Sequence, residues 1–396
     1  MFGEEGAFLK SISILIPIFN GKKYINGLIT MFDKASQVLH KKYPEVMVKM
    51  IFVNDSPDDP LFEACFTNAE NMTCEFLNPS IHQGIHGTRI YGLYHSISDF
   101  VLFFDQDDMV EIQYLLSQYE NIELNGIRYD AVVCNGIYRH NRLIFNNTRP
   151  MEKTFDRKSL LEKQWNPLSP GQVLIRKKAI PIEKWSRYIL KHNLTDDWLL
   201  WFLMADGCCR FNYNREVLYT HCENGTNSSL NWKEMGQSRI ELLDVLRKLN
   251  VLSIEEDTAF EERTDKYLIK YEKYIKLDEL LDVANHEQLV DGIKKKINGY
   301  RVSIYGMGVY GQMLLHLLLD AGVNVIYGID QHAGAMRDSE IPVYGLNKKK
   351  YPETDIVIVT PLFAFDEIIR TTLKNINCPI VRVDDFIKDC LTIEKK

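Results

Sequence analysis

The chain has no C-x-x-C pair among its eight cysteines, no apolar run of membrane-spanning length, and no excess of basic residues. Each absence removes a class of protein. Without paired cysteine motifs a zinc site is unsupported, and the cysteines read as reduced, packed thiols of a cytosolic protein. No stretch reaches the roughly 20 apolar residues that a helical span needs. Against 54 Asp and Glu stand 47 Lys and Arg, giving a formal charge of −7 and a pI near 5.9. A nucleic-acid binder normally carries a basic face, so that partner is not expected. The first ten residues hold two Glu and no apolar core, so no secretory signal is read there. The sequons at Asn71, Asn193 and Asn224 are accordingly expected to stay unmodified. No short-period repeat or low-complexity tract appears. The expected localisation is cytoplasmic, with peripheral contact at the inner membrane face and homo-oligomer formation left open.

What is present is an ordinary globular composition, 45% hydrophobic and 26% charged, over 396 residues, enough for two domains. Ser11 to Pro17 reads as a strand, Tyr24 to His40 as a helix, Val48 to Val53 as a strand, and Leu61 to Asn71 as a helix by its spacing. Cys74 to Leu77, Phe100 to Phe104, Ala131 to Asn135 and Arg210 to Tyr213 read as further strands, with Gly87 to Ser96 and Asp196 to Ala205 as helices. Strand–helix alternation of this kind predicts an α/β fold. Helix formers and charge dominate from Trp232 to Gly299, where Leu242, Leu243, Leu246 and Leu249 share one apolar face. That stretch reads as a helical connector packing on a neighbouring domain. A second α/β pattern follows, so the expected division is residues 1–231, a connector over 232–298, and residues 299–396.

Phe100-Val101-Leu102-Phe103-Phe104 runs straight into Asp105-Gln106-Asp107-Asp108, an apolar strand ending on three carboxylates. Ligands of open α/β sheets bind beyond the carboxyl ends of the strands. Clustered carboxylates there suit a hard divalent cation, Mg²⁺ or Mn²⁺. Alternatively, one of them, Asp108 being the candidate, caps a helix starting near Met109 while the others face water. Polar groups also end the neighbouring strands, at Pro17-Ile18-Phe19-Asn20 and at Asn54-Asp55. A carboxylate there can accept hydrogen bonds from a base or ribose, and an aromatic ring can stack on a base, which is nucleotide-binding chemistry. The loop His82 to Thr88 feeds a helix with Arg89 in its first turns, able to pair with a phosphate or with the acidic cluster. Thr195-Asp196-Asp197-Trp198 opens another helix, where Thr195 is a good N-cap and the aspartates favour the positive helix end. A carboxylate at that place can equally act as a general base. Trp165-Asn166-Pro167 and Ser169-Pro170-Gly171-Gln172 read either as the border of the cleft or as a plain turn.

The ordered set "SILIPIFNGKKY", "IFVNDSPDD", "HQGIHGTRIYG", "FVLFFDQDD" and "TDDWLLWFLMADG" resembles the inverting family 2 glycosyltransferases over roughly residues 11 to 230. The resemblance implies a GT-A nucleotide-sugar-binding domain and a metal-dependent, inverting transfer of a sugar in cell-surface polysaccharide synthesis. The donor would be a nucleoside-diphosphate sugar, with a UDP-sugar expected, and the acceptor a glycan or a lipid-linked glycan. By the same resemblance Pro17, Phe19 and Asp55 line the base and ribose pocket, and Arg89 sits near the diphosphate. Asp105 sits near the ribose and metal, Asp107 is the principal metal ligand, Asp197 is the catalytic base, and Asp196 neighbours it as an acceptor contact. Departures from the pattern are Asn54 for the first of two aspartates, Ser56-Pro57 for Gly-Ser, and His82 and Ile90 where Asn is commoner. Cys222 and Asn224 fall where an Arg and a His often flank the metal, so His221 is read as a substitute ligand or as a solvated side chain.

Gly306-Met307-Gly308-Val309-Tyr310-Gly311 follows a strand and opens a helix, and Asp330 ends the next strand, as in dinucleotide-binding turns. With "YGID" and "IPVYG" this stretch resembles Rossmann-like accessory domains of sugar-modifying enzymes. Gly306, Gly308, Gly311 and Asp330 are the residues of a second nucleotide site, for NAD(P) or another nucleotide, if that turn binds one rather than only packing. Two other functional classes therefore stand beside the transferase. One is an NAD-dependent sugar-modifying enzyme, and the other a non-catalytic nucleotide-binding scaffold.

Overall fold

The computed structural model describes residues 10–138, 142–147, 149–162, 167–192, 194–222, 232–331, 333–335, 339–346, 348 and 350–392. Trp165, Asn166, Asn193 and Asn224, singled out above, lie outside them. The chain divides into two compact units, residues 1–264 and 265–396, so the stretch expected as a connector is shared between them.

In the first unit the chain runs β1 (Ser11–Ile18), α1 (Lys22–His40), β2 (Met47–Asn54), β3 (Thr73–Leu77), α2 (Gly84–His95), β4 (Phe100–Phe103), β5 (Met109–Val110) and α3 (Tyr114–Ile122). It continues through β6 (Ala131–Tyr138), β7 (Arg142–Leu143), α4 (Arg157–Glu162), β8 (Val173–Arg176), α5 (Ile182–Trp185), α6 (Asp196–Asp206), β9 (Phe211–Thr220) and α7 (Trp232–Lys248). The division into units falls inside α8 (Ile254–Val283). The second unit adds α9 (His286–Ile297), β10 (Arg301–Tyr305), α10 (Val309–Asp320), β11 (Asn324–Ile329), β12 (Val343–Tyr344), β13 (Ile356–Val359), α11 (Phe365–Thr371), β14 (Ile380–Arg382) and α12 (Val383–Thr392).

The first sheet has the order β3-β2-β1-β4-β8-β6-β9-β5, with β7 paired to β6. Its β3, β2, β1 and β4 are parallel, whereas β8 runs antiparallel to both β4 and β6. Phe100 to Phe103 are fully buried, as expected of a strand covered on both faces. On α1, Ile25, Leu28, Ile29, Phe32, Ala35 and Leu39 recur at helical spacing and are buried. The register pairs Ile18 with Asn54 and Leu15 with Phe103, so β1, β2 and β4 end along one edge. Strand order reverses between β1 and β4, and that edge is therefore the switch point where α/β sheets bind ligands.

Two expectations are corrected here. Residues 61–71 are not helical beyond a single turn at Glu63–Cys65. Side chains of α1 take their amide hydrogens instead: Asn26 Oδ1 accepts from Thr67 N, and Asp33 Oδ1 accepts from Glu70 N and Asn71 N. No helix starts near Met109 either. Met109 and Val110 form β5 against β9, and the helix begins at Tyr114.

The second sheet is parallel throughout, in the order β12-β11-β10-β13-β14. That is the doubly wound arrangement expected of an α/β unit. Among the described residues no helix is long and apolar enough to cross a membrane.

Candidate active site

The edge of β4 is organised around one buried cation. Arg89 on α2 is 3% exposed and donates from Nη2 to Asp105 Oδ1 at 2.5 Å and from Nη1 to Asp196 Oδ2 at 2.7 Å. A guanidinium has a rigid fork of donors and stays charged when buried, which lets one side chain tie two carboxylates. Arg89 thereby joins the end of β4 to the start of α6, across 107 residues of sequence to Asp196. Of the two partners expected for Arg89, the acidic cluster is the one it meets. Asp196 is buried and committed to Arg89, and its carbonyl accepts from Trp185 Nε1 at 3.1 Å. Asp196 is thus a buried anchor of the Arg89 tie, next in sequence to Asp197.

Asp105 has both oxygens engaged, since Ser169 Oγ donates to Oδ2 at 2.9 Å. It holds the edge together, and each of its oxygens keeps a second lone pair. Ser169 itself belongs to the stretch read as cleft border or turn, and its contact with Asp105 assigns it to the site's edge. Asp108 is not a helix cap. It is buried and accepts from Tyr219 Oη, from His221 Nδ1 at 3.1 Å and from Cys222 N at 3.0 Å, all donors from the end of β9. Burial pushes its carboxyl up, and the hydrogen bond from His221 works against that.

Asp107 is half-buried between these neighbours. Burial first, then the adjacent charges of Asp108 and Asp105, push its carboxyl up to about 6. Such a carboxylate gains from a nearby cation. His221 is neither solvated nor isolated: a carboxylate holds its Nδ1–H, the arrangement that orients metal-binding histidines and directs Nε2 as the basic nitrogen. Among the described residues no group of three or more His, Cys, Asp or Glu side chains is arranged to hold a metal by itself. A divalent ion here would take Asp107 and His221 from the protein and complete its shell with phosphate and water oxygens, the usual mode for Mg²⁺.

Asp197 stands at the first turn of α6, where its Oδ1 accepts from Trp198 N at 2.7 Å. Burial first, then the charge of Asp196, raise its carboxyl to about 7, with Arg89 opposing the rise. Thr195 precedes the helix without capping it through its side chain; its Oγ1 bonds Ser238 instead, at 2.8 Å to Oγ.

The ends of β1 and β2 form the other flank. Phe19 is 53% exposed, with its ring centroid 5.3 Å from that of His82. Its backbone is fixed by Gln106, which accepts from Phe19 N at 3.0 Å and donates to Phe19 O at 3.1 Å. Gly21 makes room for that amide, since a Cβ there would lie 2.0 Å from Gln106 Oε1. Pro17 is partly buried in β1. Asp55 is buried, its Oδ1 accepting from Gln83 N at 2.6 Å, and His82 Nδ1 lies 2.9 Å from its carbonyl. Asn54 has a role of its own: Nδ2 donates to Ser56 O, Asp59 O and Asn78 Oδ1, while Oδ1 accepts from Ser56 N. An amide can donate and accept at once, which an aspartate at that position could not.

In the second unit the glycines serve the turn itself. Gly306 has φ +87°, and a Cβ there would lie 2.7 Å from Thr360 Oγ1; at Gly311 it would lie 2.1 Å from Gly306 O. A Cβ at Gly308 would meet nothing within 4 Å. Asp330 Oδ2 accepts from Met307 N at 2.8 Å, so the acidic residue of the fingerprint stabilises the turn.

A switch-point edge with clustered carboxylates, a buried arginine tie and an exposed aromatic ring makes this edge the candidate ligand site of the α/β sheet. Residues 13–181 match the model of the family "Glycosyl transferase family 2", and the chain thus carries a glycosyltransferase domain of that family. The match ends before α6 and α7. No curated protein matches the chain in sequence. Similar solved structures include Staphylococcus aureus TarS residues 1–349 with UDP, 15% identical, covering 72% of this chain and 78% of that one at a TM-score of 0.42. Its complex with UDP-GlcNAc is 16% identical and covers 73% and 80% at 0.44. Glucosyl-3-phosphoglycerate synthase from Mycobacterium tuberculosis, with Mn²⁺, UDP-glucose and phosphoglyceric acid, is 14% identical and covers 62% and 82% at 0.37.

Proposed function

We propose that the first unit transfers a sugar from a nucleoside-diphosphate donor to an acceptor hydroxyl with inversion, using Asp197 as general base and Asp107 with His221 as protein ligands of a divalent cation. The observation that carries this reading is the Arg89 tie, because it fixes Asp196, and with it Asp197, against the carboxylate edge of β4. A base and a leaving-group site must share one cleft for a single displacement, and Arg89 couples them.

Phe19 offers an exposed stacking face for the base, and Pro17 in β1 and Asp55 just past the end of β2 are read as its neighbours around that base. A UDP-sugar is the donor to test first. A bound Mg²⁺ or Mn²⁺ supplies positive charge for the departing diphosphate. Asp197, with a carboxyl near 7, is substantially ionised at neutral pH and can take the proton of the attacking hydroxyl. The hydroxyl oxygen forms the new glycosidic bond as the bond from the anomeric carbon to the diphosphate breaks.

An acceptor carried by a lipid in polysaccharide synthesis is supported by the surface beside α6. Tyr94, Ile97 and Ile189 are 61%, 96% and 41% exposed. Lys178, Lys184, Arg187 and Lys191 are exposed in the same stretches of chain, together with the acids Asp99 and Glu183, and Lys248, paired with exposed Asp244, lies over the Tyr188 ring. Tyr94 Oη meets Ser186 Oγ at 3.2 Å and Lys177 N donates to Asp99 O at 2.8 Å, so the two segments adjoin. Apolar and aromatic tips among cations suit an anionic bilayer face. NAD(P) has no part in this reading. The test is Asp197→Asn: donor binding persists, while turnover falls about 10²- to 10⁴-fold, the span of a general base. Wild-type turnover in that variant overturns the assignment.

A further inference from the structure

The segment that delivers Asp197 lies beyond the family match and is held almost entirely by side chains from elsewhere. Leu190 N donates to His86 Nδ1 on α2 at 3.0 Å. Lys191 N donates to both oxygens of Glu241 on α7, at 2.8 and 2.9 Å, and His192 N donates to Glu241 Oε2 at 2.8 Å. Leu194 N is shared between His192 O at 3.1 Å and Ser238 Oγ at 3.2 Å, while that hydroxyl donates to His192 O at 2.6 Å. Thr195 Oγ1 is 2.8 Å from the same Ser238 Oγ, and His192 Nδ1 is 3.0 Å from Glu234 Oε1. Regular structure would satisfy such amides within the backbone. Here α2 and α7 do it, and α6 begins one residue after Thr195.

We propose that Glu241, with Ser238 and His86, forms a clamp that positions Asp197 for proton abstraction. The proposal rests on the reading of Asp197 as base. Helix α7 is thus part of the catalytic apparatus. Its apolar face, Leu242, Leu243, Val245 and Leu246, is buried in the core of the first unit and gives the clamp a rigid mount. His86 is fully buried against Trp185, ring centroids 5.2 Å apart, and Trp185 in turn donates to the Asp196 carbonyl. As an acceptor at Nδ1, His86 must be neutral, and burial lowers its affinity for a second proton. The clamp touches no reacting atom, so it acts through the placement of a carboxylate. A base displaced by about 1 Å can lose about 10²-fold in rate.

The experiment uses the full chain with the donor selected from UDP-, GDP-, dTDP- and CDP-sugars by Mn²⁺-dependent thermal stabilisation. Release of nucleoside diphosphate is followed across pH for wild type, Glu241→Ala, Glu241→Gln and Ser238→Ala. Glu241→Ala is expected to lower kcat about 10- to 100-fold with the KM for donor unchanged within about twofold, a loss confined to the transition state. It should also move the acidic limb of the profile, because the setting of Asp197 among Asp196, Arg89 and Asp105 changes. Glu241→Gln keeps an acceptor oxygen and recovers most of the rate; Ser238→Ala gives a smaller loss of the same kind. Wild-type kcat and an unmoved limb in Glu241→Ala overturn the clamp. So does an equal loss in Gln and Ala variants, which marks a structural defect. An active Asp197→Asn defeats the base assignment itself, whereas an inactive Asp197→Asn beside an unaffected Glu241→Ala defeats the clamp alone.

Discussion

Arg89→Met removes the charge at the centre of the site while keeping much of the unbranched, apolar stem. Arg89 is 3% exposed, and its guanidinium bridges Asp105 and Asp196 at 2.5 and 2.7 Å. Removing one member of a buried ion pair costs about 3–5 kcal/mol, mostly from the carboxylate left behind. Here two carboxylates lose their cation, although Asp105 keeps the Ser169 hydroxyl, so the cost should fall within that range. In a domain of this size about 3–5 kcal/mol corresponds to a drop in Tm of roughly 6–20 °C. Urea titration with unchanged m measures it directly, and thermal melts check the conversion. Lys248→Ala, which breaks the exposed pair with Asp244, is the control and should leave the midpoint unmoved. Combining Arg89→Met with Asp105→Asn and Asp196→Asn should recover part of the loss, since a fully neutral interior avoids the orphaned charges. A cost below about 1 kcal/mol would place Arg89 among ordinary surface ion pairs and refute the tie.

Three further outcomes follow from the same geometry. Because Asp197 works deprotonated and its carboxyl is raised to about 7, turnover should fall as pH drops through 7, and a profile flat from pH 6 to 8 contradicts the role. Tyr219→Phe removes one of three donors to buried Asp108 and should cost about 1.5–3 kcal/mol in urea titration, the range for a hydrogen bond to a charged group. Vesicles containing phosphatidylglycerol should sediment the protein where neutral phosphatidylcholine vesicles do not. The double substitution Ile97→Ser with Arg187→Glu should abolish that binding, and equal binding to both lipids removes the support for a membrane-borne acceptor.

Much of this was legible in the sequence where a local pattern carried the physics. Phe100 to Phe104 read as a buried strand, and residues Phe100–Phe103 are one, while the three carboxylates after it pointed to a candidate ligand edge. Asp108 was misread because its donors, Tyr219 and His221, lie 111 and 113 residues away. Residues 61–71 have helical spacing, yet Asn26 and Asp33 take their amides, and no local rule anticipates that competition. Asn54 looked like a departure from a family pattern, whereas its amide fixes the Ser56 to Asp59 loop by donating and accepting together. His86 and Glu241 gave no sequence signal. Their roles depend on the amides of residues 190–192, whose side-chain acceptors only the folded chain identifies.

The central claim, a nucleotide-sugar site at the β4 edge that uses a divalent cation on Asp107, is tested most directly by calorimetric titration of the stabilising nucleotide sugar with and without Mn²⁺, into wild type and Asp107→Ala. The account predicts binding by wild type that requires Mn²⁺ and is lost in Asp107→Ala, with that variant still folded. Binding of equal strength in Asp107→Ala, or binding indifferent to Mn²⁺, contradicts it.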